Sequence, residues 1–388
     1  MERTIPFGVI GMGSQGAVYA KLLNDSEGKH FRLAALSSRS EEKRETYAKL
    51  YPDVAYFVDW KEMVASGAVE AVIIATPHKN HPELATYCME HGVHVLLDKP
   101  AGFHSLEVSR MNDCANAHSD VAFGMMFNQR TNAIYQRAKE VIATGEMGKL
   151  RRVLWTTTNW WRPDRYYSNS GWRGSWGGEG GGVMMNQAAH QLDLWQWICG
   201  MPQKLYAKVE FGAHRDIVVD NDVTIVADFG DGVTGTFITC ANDPLGVDRL
   251  ELTLDQGKIV IEGSGKTGSI HRLKMTESDM NSVMPMEQVV AFIQGKPLGD
   301  LCIVEELTCA EVWGQQHSIL IENFAQHIVS GTPLLSPGVE GLNSLQLANA
   351  ALLSAWAGEE VTFPLDEQRY LDALNQAITK EGKYDVMR

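Results

Sequence analysis

Cysteine is sparse and unpaired in this chain. The six residues (Cys88, Cys114, Cys199, Cys240, Cys302 and Cys309) are scattered over 388 positions without a C-x-x-C pair. They read as buried thiols, and the spacing argues against a structural zinc or a disulfide framework. Long hydrophobic runs are also lacking. No segment approaches the roughly 20 apolar residues of a membrane span, and Met1-Glu2-Arg3-Thr4-Ile5-Pro6 has no apolar stretch of signal-peptide length. The cytoplasm is therefore the expected compartment. Positive charge is the third shortage: 34 Lys plus Arg stand against 48 Asp plus Glu, a formal charge of -14 with no basic run, which argues against nucleic acid or anionic membrane partners. No metal is expected, because His190 and Asp193 at i, i+3 form at most half a site and no second pair of ligands is evident.

What the chain does have is core. With 44% hydrophobic and 21% charged residues it can build one large or two medium globular domains. From Phe7 to Met126 short apolar runs alternate with helical stretches, the pattern of parallel strands joined by crossover helices. The predicted strands are Phe7–Gly11, Leu33–Ser37, Ala71–Thr76, Val93–Leu97 and Val121–Met126. Between the first two lies Gly11-Met12-Gly13-Ser14-Gln15-Gly16, a G-x-G-x-x-G that opens a helix through Tyr19, Leu22 and Leu23. Glycines there permit a tight turn and close approach of a pyrophosphate to the helix amino terminus, so the motif predicts a dinucleotide site.

The acidic residue expected about 20 positions later is missing. Counting 21 residues from Gly16 reaches Ser37, followed by Ser38 and Arg39. Small hydroxyls and an arginine suit a 2'-phosphate, which tips the expectation from NAD to NADP, although sites of this kind often take both. Arg39 also fits as a solvated residue opening the next helix. After Thr76 comes the polar turn Pro77-His78-Lys79-Asn80-His81-Pro82, where Thr76, Pro77 and Asn80 are expected to line the nicotinamide half of the cofactor. Asn80 fits equally as a helix cap, and His78 and His81 as surface residues.

Two further segments carry the chemistry. Asp98-Lys99-Pro100 follows the run Val93–Leu97, and Asn186-Gln187-Ala188-Ala189-His190-Gln191-Leu192-Asp193 follows Gly180-Gly181-Gly182. On a helix starting near Val183, Asn186, His190, Asp193 and Trp197 share one face, a polar stripe more suited to a lined pocket than to a packed core. Seven of the ten tryptophans (Trp155, Trp160, Trp161, Trp172, Trp176, Trp195 and Trp197) cluster here, interleaved with Arg162, Asp164, Arg165, Tyr166, Tyr167 and Arg173. Flat aromatic faces with charged neighbours suit a sugar, with Trp161, Arg162, Tyr166, Trp172 and Asn186 as candidate contacts beside Lys99 and His190. About half of the tryptophans, notably Trp155 and Trp195, fit core packing instead. The glycine-rich stretch Gly171–Gly182 reads as a loop that orders over a ligand, or as steric relief at the helix start.

In order and spacing, the G-x-G-x-x-G, the A-T-P-x-x-x-H from Ala75 to His81, the Lys99-Pro100 dipeptide and the G-G-G-x-x-x-N-Q-x-x-H-x-x-D resemble the glucose-fructose oxidoreductase and inositol dehydrogenase family, Gfo/Idh/MocA. The resemblance spans nearly the whole chain. It implies an α/β protein with an amino-terminal Rossmann domain (1–126) and a carboxyl-terminal α+β domain (127–388) on an open, mostly antiparallel sheet, with sugar or cyclitol substrates bound between them. It also implies that Asp98, Lys99 and Pro100 touch the cofactor, with His190 as the catalytic histidine and Lys99 as the active-site lysine. The family's usual E-K-P is Asp98-Lys99-Pro100 here, and Asn186 stands where many relatives carry aspartate.

Pattern supports the second domain independently. Leu150–Asn159, Leu205–Phe211, Asp222–Phe229, Gly232–Cys240, Arg249–Leu254 and Lys258–Glu262 read as strands of a meander, with Gly230-Asp231-Gly232 and Asp255-Gln256-Gly257 as turns. A one-sided sheet predicts a subunit interface, hence a homodimer or homotetramer, and the helices Ser318–Ser330 and Gly341–Ala357 are expected to return to the first domain. The expected mechanism has His190 take a hydroxyl proton, Asp193 orient the imidazole and Lys99 stabilise the alkoxide; the roles of Lys99 and His190 are exchangeable. The leading function is an NAD(P)-dependent dehydrogenase or reductase of a sugar, glycoside or cyclitol. Behind it stand a glycoside-cleaving enzyme that oxidises C3 transiently with retained NAD, and a non-catalytic cofactor or sugar sensor.

Overall fold

The computed structural model describes residues 3–26, 29–297, 299–310 and 314–387. Among these, no helix is long and apolar enough to cross a membrane. Six parallel strands, β1 (Ile5–Ile10), β2 (Phe31–Ser37), β3 (Ala55–Phe57), β4 (Ala71–Ile74), β5 (His94–Leu97) and β6 (Phe123–Met125), form one sheet in the order β3-β2-β1-β4-β5-β6. Strands β4 and β5 are apolar almost throughout because helices cover both faces of a parallel sheet. The order reverses between β1 and β4, which opens a crevice at their carboxyl ends, where Gly11 and Thr76 sit.

The second sheet has nine strands: β7 (Leu150–Thr157), β8 (Lys204–Phe211), β9 (Asp220–Gly230), β10 (Val233–Cys240), β11 (Asp248–Leu254), β12 (Gly257–Glu262), β13 (Thr267–Leu273), β14 (Cys302–Thr308) and β15 (Val361–Thr362). Their order is β14-β13-β12-β11-β7-β10-β9-β8-β15, and only the β7–β10 pair is parallel. The alternation is legible on β8, where Leu205, Ala207 and Val209 point into the core and Tyr206, Lys208 and Glu210 point out. Helices Ala189–Cys199 and Gly341–Ala357 cover the inner face, with Trp195 stacked on Phe237 of β10 at 5.3 Å. The other face leaves Leu154, Tyr206 and Val226 exposed.

Strands β3, β13, β14 and β15 have no counterpart in the sequence reading. Strand β14, Cys-Ile-Val-Glu-Glu-Leu-Thr, is an edge strand with no buried residue, so burial imposes no alternation on it. Helix Gln315–Ser330 packs on the first sheet, burying Leu320, Ile321, Phe324 and Ala325 with Ile5, Phe7 and Phe31. The helix expected from Val183 begins instead at Ala189; residues 183–188 are turns, so Asn186 does not share a helical face with His190. The cause is Asp220, which accepts from Gly182 N at 2.6 Å and Met184 N at 3.0 Å and holds that segment against β9.

Candidate active site

The first glycine turn follows from contact. Gly11 has φ +96°, and a Cβ there would lie 2.8 Å from Ala75 O, while a Cβ on Gly16 would lie 1.9 Å from Gly11 O. Gly13 is different: a Cβ there would meet nothing within 4 Å, so this glycine faces open space. The helix Ser14–Asn24 begins beside it with no side-chain cap and no acid in its first turn. A bare helix amino terminus behind an open glycine fits a dinucleotide pyrophosphate. A cavity of about 570 Å³ runs from here past Ser37, Ser38 and Arg39 and is lined also by Thr76, Pro77 and Asn80. Asn80 makes no side-chain cap, and Lys43 joins the wall with its Nζ on Met12 O at 2.8 Å.

A second cavity of about 450 Å³ shares Gly13, Thr76 and Pro77 with the first and continues past Ser14 and Gln15 to Asp98, Lys99, Trp172, Asn186 and His190. Lys99 is fixed by its Nζ donating to Asn186 O at 2.7 Å. Burial pushes its pKa down, against the pull of the Asp98 and Glu179 carboxylates, and Arg162 adds to the depression. Asp98 accepts from Tyr19 Oη at 3.0 Å and from Lys99 N at 2.9 Å. Pro100 lines neither cavity; its carbonyl lies 2.8 Å from His81 Nδ1, whose Nε2 reaches Thr76 O at 2.9 Å. His78 and His81, expected on the surface, are buried, because the turn folds inward under Trp172.

Asp193 does not orient His190. Its carboxylate takes Arg130 in a fork, Nε to Oδ2 at 2.8 Å and Nη2 to Oδ1 at 2.6 Å, with Gln196 as a further donor. Arg130 also pairs with Glu340 and is completely buried. Burial works against its charge, but the carboxylates outweigh it and raise the guanidinium pKa. His190 Nδ1 has no hydrogen-bond partner among the described residues. Burial first, then the positive charges of Lys99 and His317, push its pKa well below the ordinary value. Both causes favour the neutral ring.

Of the expected sugar contacts, Lys99, Trp172, Asn186 and His190 line the cavity. Trp161 is 45% exposed and lies outside its wall. Arg162 and Tyr166 stand behind it: Tyr166 Oη is 3.4 Å from Asn186 Nδ2, and the Arg162 guanidinium lies 5.2 Å from the Tyr166 ring centroid. Trp155 and Trp195 are core residues at 1% exposure. The Gly171–Gly182 stretch is no surface loop; residues 174–182 are buried, and a Cβ on Gly182 would lie 1.9 Å from Asp220 O.

Several lining or supporting residues were missed. Glu179 accepts from Gly174 N at 2.7 Å and Asn186 Nδ2 at 2.6 Å, and burial pushes its carboxyl up to about 7 despite those bonds. Its place just before the triple glycine is the only sequence signal. His317 reaches the cavity from the helix expected to start one residue later, and Asn128 and Tyr19 also line it.

Residues 5–125 match the model of the oxidoreductase family with an NAD-binding Rossmann fold, and residues 135–260 match the GFO/IDH/MocA C-terminal domain. The chain is 26% identical to the myo-inositol 2-dehydrogenase of Thermotoga maritima over 269 residues, 67% of this chain and 76% of that one. It is 22% identical to the inositol 2-dehydrogenase of Rhizobium meliloti over 356 residues, 90% and 97% of the two chains. The WlbA dehydrogenase of Bordetella pertussis, solved with NADH and UDP-GlcNAcA, superposes with a TM-score of 0.79 at 22% identity, covering 94% of this chain and 99% of that one. With the glycine cradle, the Lys99-Pro100 turn and the His190 helix disposed around one crevice, this chain belongs to the Gfo/Idh/MocA family of oxidoreductases.

Proposed function

We propose that the protein is an NAD(P)-dependent dehydrogenase of a secondary hydroxyl on a sugar, glycoside or cyclitol. The observation that carries this reading is the continuity of the open Gly13 cradle with a cavity holding Lys99 and His190. The inositol dehydrogenases among its relatives favour net oxidation over transient oxidation with elimination. Ser37, Ser38, Arg39 and Lys43 at the ribose end, with no acid among them, favour NADP over NAD. A bound nicotinamide would accept hydride from the carbinol carbon.

The chain's own part is the proton. An imidazolium at His190 would sit buried beside Lys99 without a carboxylate on its other nitrogen, whereas an ammonium at Lys99 has Asp98 and Glu179 close by. We therefore assign Lys99 Nζ as the group that receives the hydroxyl proton, with its depressed pKa nearer the working range. Neutral His190 holds the same hydroxyl oxygen in position. Asn186 O fixes the amine through the 2.7 Å bond. Exposed Leu154, Tyr206 and Val226 on the second sheet support assembly of two or four copies through that face.

The test is nicotinamide absorbance at 340 nm with NAD or NADP against free sugars, glycosides and inositols, with Lys99→Ala as control. Steady reduction, falling between about 10²- and 10⁴-fold in the variant, is expected. Aglycone release without net reduction would overturn the assignment in favour of elimination chemistry.

A further inference from the structure

The cavity that holds Lys99 and His190 carries a further cation with no ion pair among the described residues. Arg173 lines it beside Trp172 and Lys99. Among the described residues Arg173 makes no ion pair, and its Nε is shut from solvent without a hydrogen-bond partner. It is nonetheless fixed in place: its guanidinium lies 4.3 Å from the Tyr166 ring centroid and 5.2 Å from that of Trp172. Tyr166 is itself anchored by Asn186 and Gln187, whose side-chain nitrogens lie 3.4 and 3.3 Å from its hydroxyl.

Glu179 feels the Arg173 charge through space, but no neighbouring carboxylate among the described residues closes an ion pair with it. Both oxygens of Glu179 are engaged, by Gly174 N and Asn186 Nδ2. Asp98 is turned to Tyr19 and to the Lys99 amide. A second guanidinium, Arg162, sits over the same Tyr166 ring at 5.2 Å and, among the described residues, donates to the carbonyls of Trp160 and Trp161. In a chain with a formal charge of -14, an arginine without an ion pair among the described residues, on one cavity wall with a lysine and backed by a second arginine, suits an anion. A hydroxyl of a neutral polyol can accept from the guanidinium but brings no charge to it, whereas a carboxylate or phosphate does both.

We infer that the hydroxy substrate carries an acidic group, a carboxylate or a phosphate, which docks on the Arg173 guanidinium and sets the specificity of the reaction. This rests on reading the cavity as the dehydrogenase site. Arg173 is a binding residue, distinct from the proton-handling pair Lys99 and His190.

The experiment compares matched neutral and acidic substrates, glucose with glucuronate and glucose 6-phosphate, and myo-inositol with its monophosphate, by nicotinamide reduction. An acidic member is expected to exceed its neutral partner in kcat/KM by on the order of 10- to 100-fold. The carboxylate and phosphate arms identify which acid is used. Arg173→Gln should abolish the preference mainly through KM, and Arg173→Lys should restore part of it. Equal or better use of the neutral members, or a preference unchanged in Arg173→Gln, would overturn the inference while leaving the dehydrogenase assignment intact. If nothing in the panel is oxidised, titration calorimetry of glucuronate and glucose against the same proteins decides: selective binding of the acid, lost in Arg173→Gln, upholds the anion site, and binding without selectivity overturns it.

Discussion

Glu179 and Asp193 lie eleven residues before and three after His190 in the chain, and both are 1% exposed. Asp193 meets a cation in an ideal fork and belongs to a closed knot of Arg130, Gln196 and Glu340. Glu179 meets only neutral donors, and one of them, Asn186, also holds Lys99 through its carbonyl. The first region has satisfied its charges internally and has nothing left for a ligand. The second leaves a carboxyl titrating near neutrality and a lysine and an arginine facing open volume. Burial of a charged group therefore does not mark a site here; a charged group that faces open volume without closing an ion pair does.

The comparison breaks first at Asp193. Asp193→Ala takes the forked carboxylate from fully buried Arg130 and leaves it only Glu340, and urea unfolding should show a loss of about 3 kcal/mol. Turnover per folded molecule should change far less; a collapse of kcat with stability intact would return Asp193 to the active site.

Glu179 offers the next largest effect. Its carboxyl is raised from the ordinary 4.5 to about 7, so between those values the folded protein binds the proton more tightly than the unfolded chain. Stability should therefore fall as pH rises through this window, by about 3 kcal/mol from this group alone. In Glu179→Gln that part of the slope should vanish in denaturation curves taken at pH 5 and pH 8. A slope identical to that of the parent protein would show that Glu179 is already ionised in the fold.

Asn186→Asp sharpens the contrast by placing a second carboxyl against Glu179. Like charges at hydrogen-bond distance cannot both ionise freely, so one of the pair should titrate higher, by about one unit or more. The acid limb of the pH–rate profile is expected to move upward accordingly.

The smallest effects distinguish open from closed glycine. Gly13→Ala adds a methyl where nothing lies within 4 Å and should leave the melting temperature nearly unchanged while weakening cofactor binding about tenfold. Gly16→Ala drives a methyl onto Gly11 O and should lower stability first.

The first sheet was legible because its strands are short apolar runs punctuated by glycine, and the cofactor turn announces itself locally. Strand β14 was not, since an edge with no burial carries no pattern. Lys99, Trp172, Asn186 and His190, singled out by motif and composition, line one cavity. Asp193 was misassigned because i, i+3 spacing says which residues share a helical face and not which partner arrives from elsewhere; Arg130 comes from 63 residues away. Glu179 was invisible although its partners Gly174 and Asn186 are near in the chain, because irregular turns and not a periodic element bring them together; His317 enters the cavity from a helix far along the chain.

Helix Gln315–Ser330 seals one face of the first sheet, with Phe324 against Phe7 at 6.2 Å between ring centroids. On the ribosome that seal arrives late. The strands through Met125 emerge nearly 200 residues before Phe324, which at about 5 to 20 residues per second is roughly 10 to 40 s. Throughout that interval Ile5, Phe7 and Phe31 have no cover from their final partner, so the nascent chain displays a greasy surface to chaperones and to its neighbours on the same message.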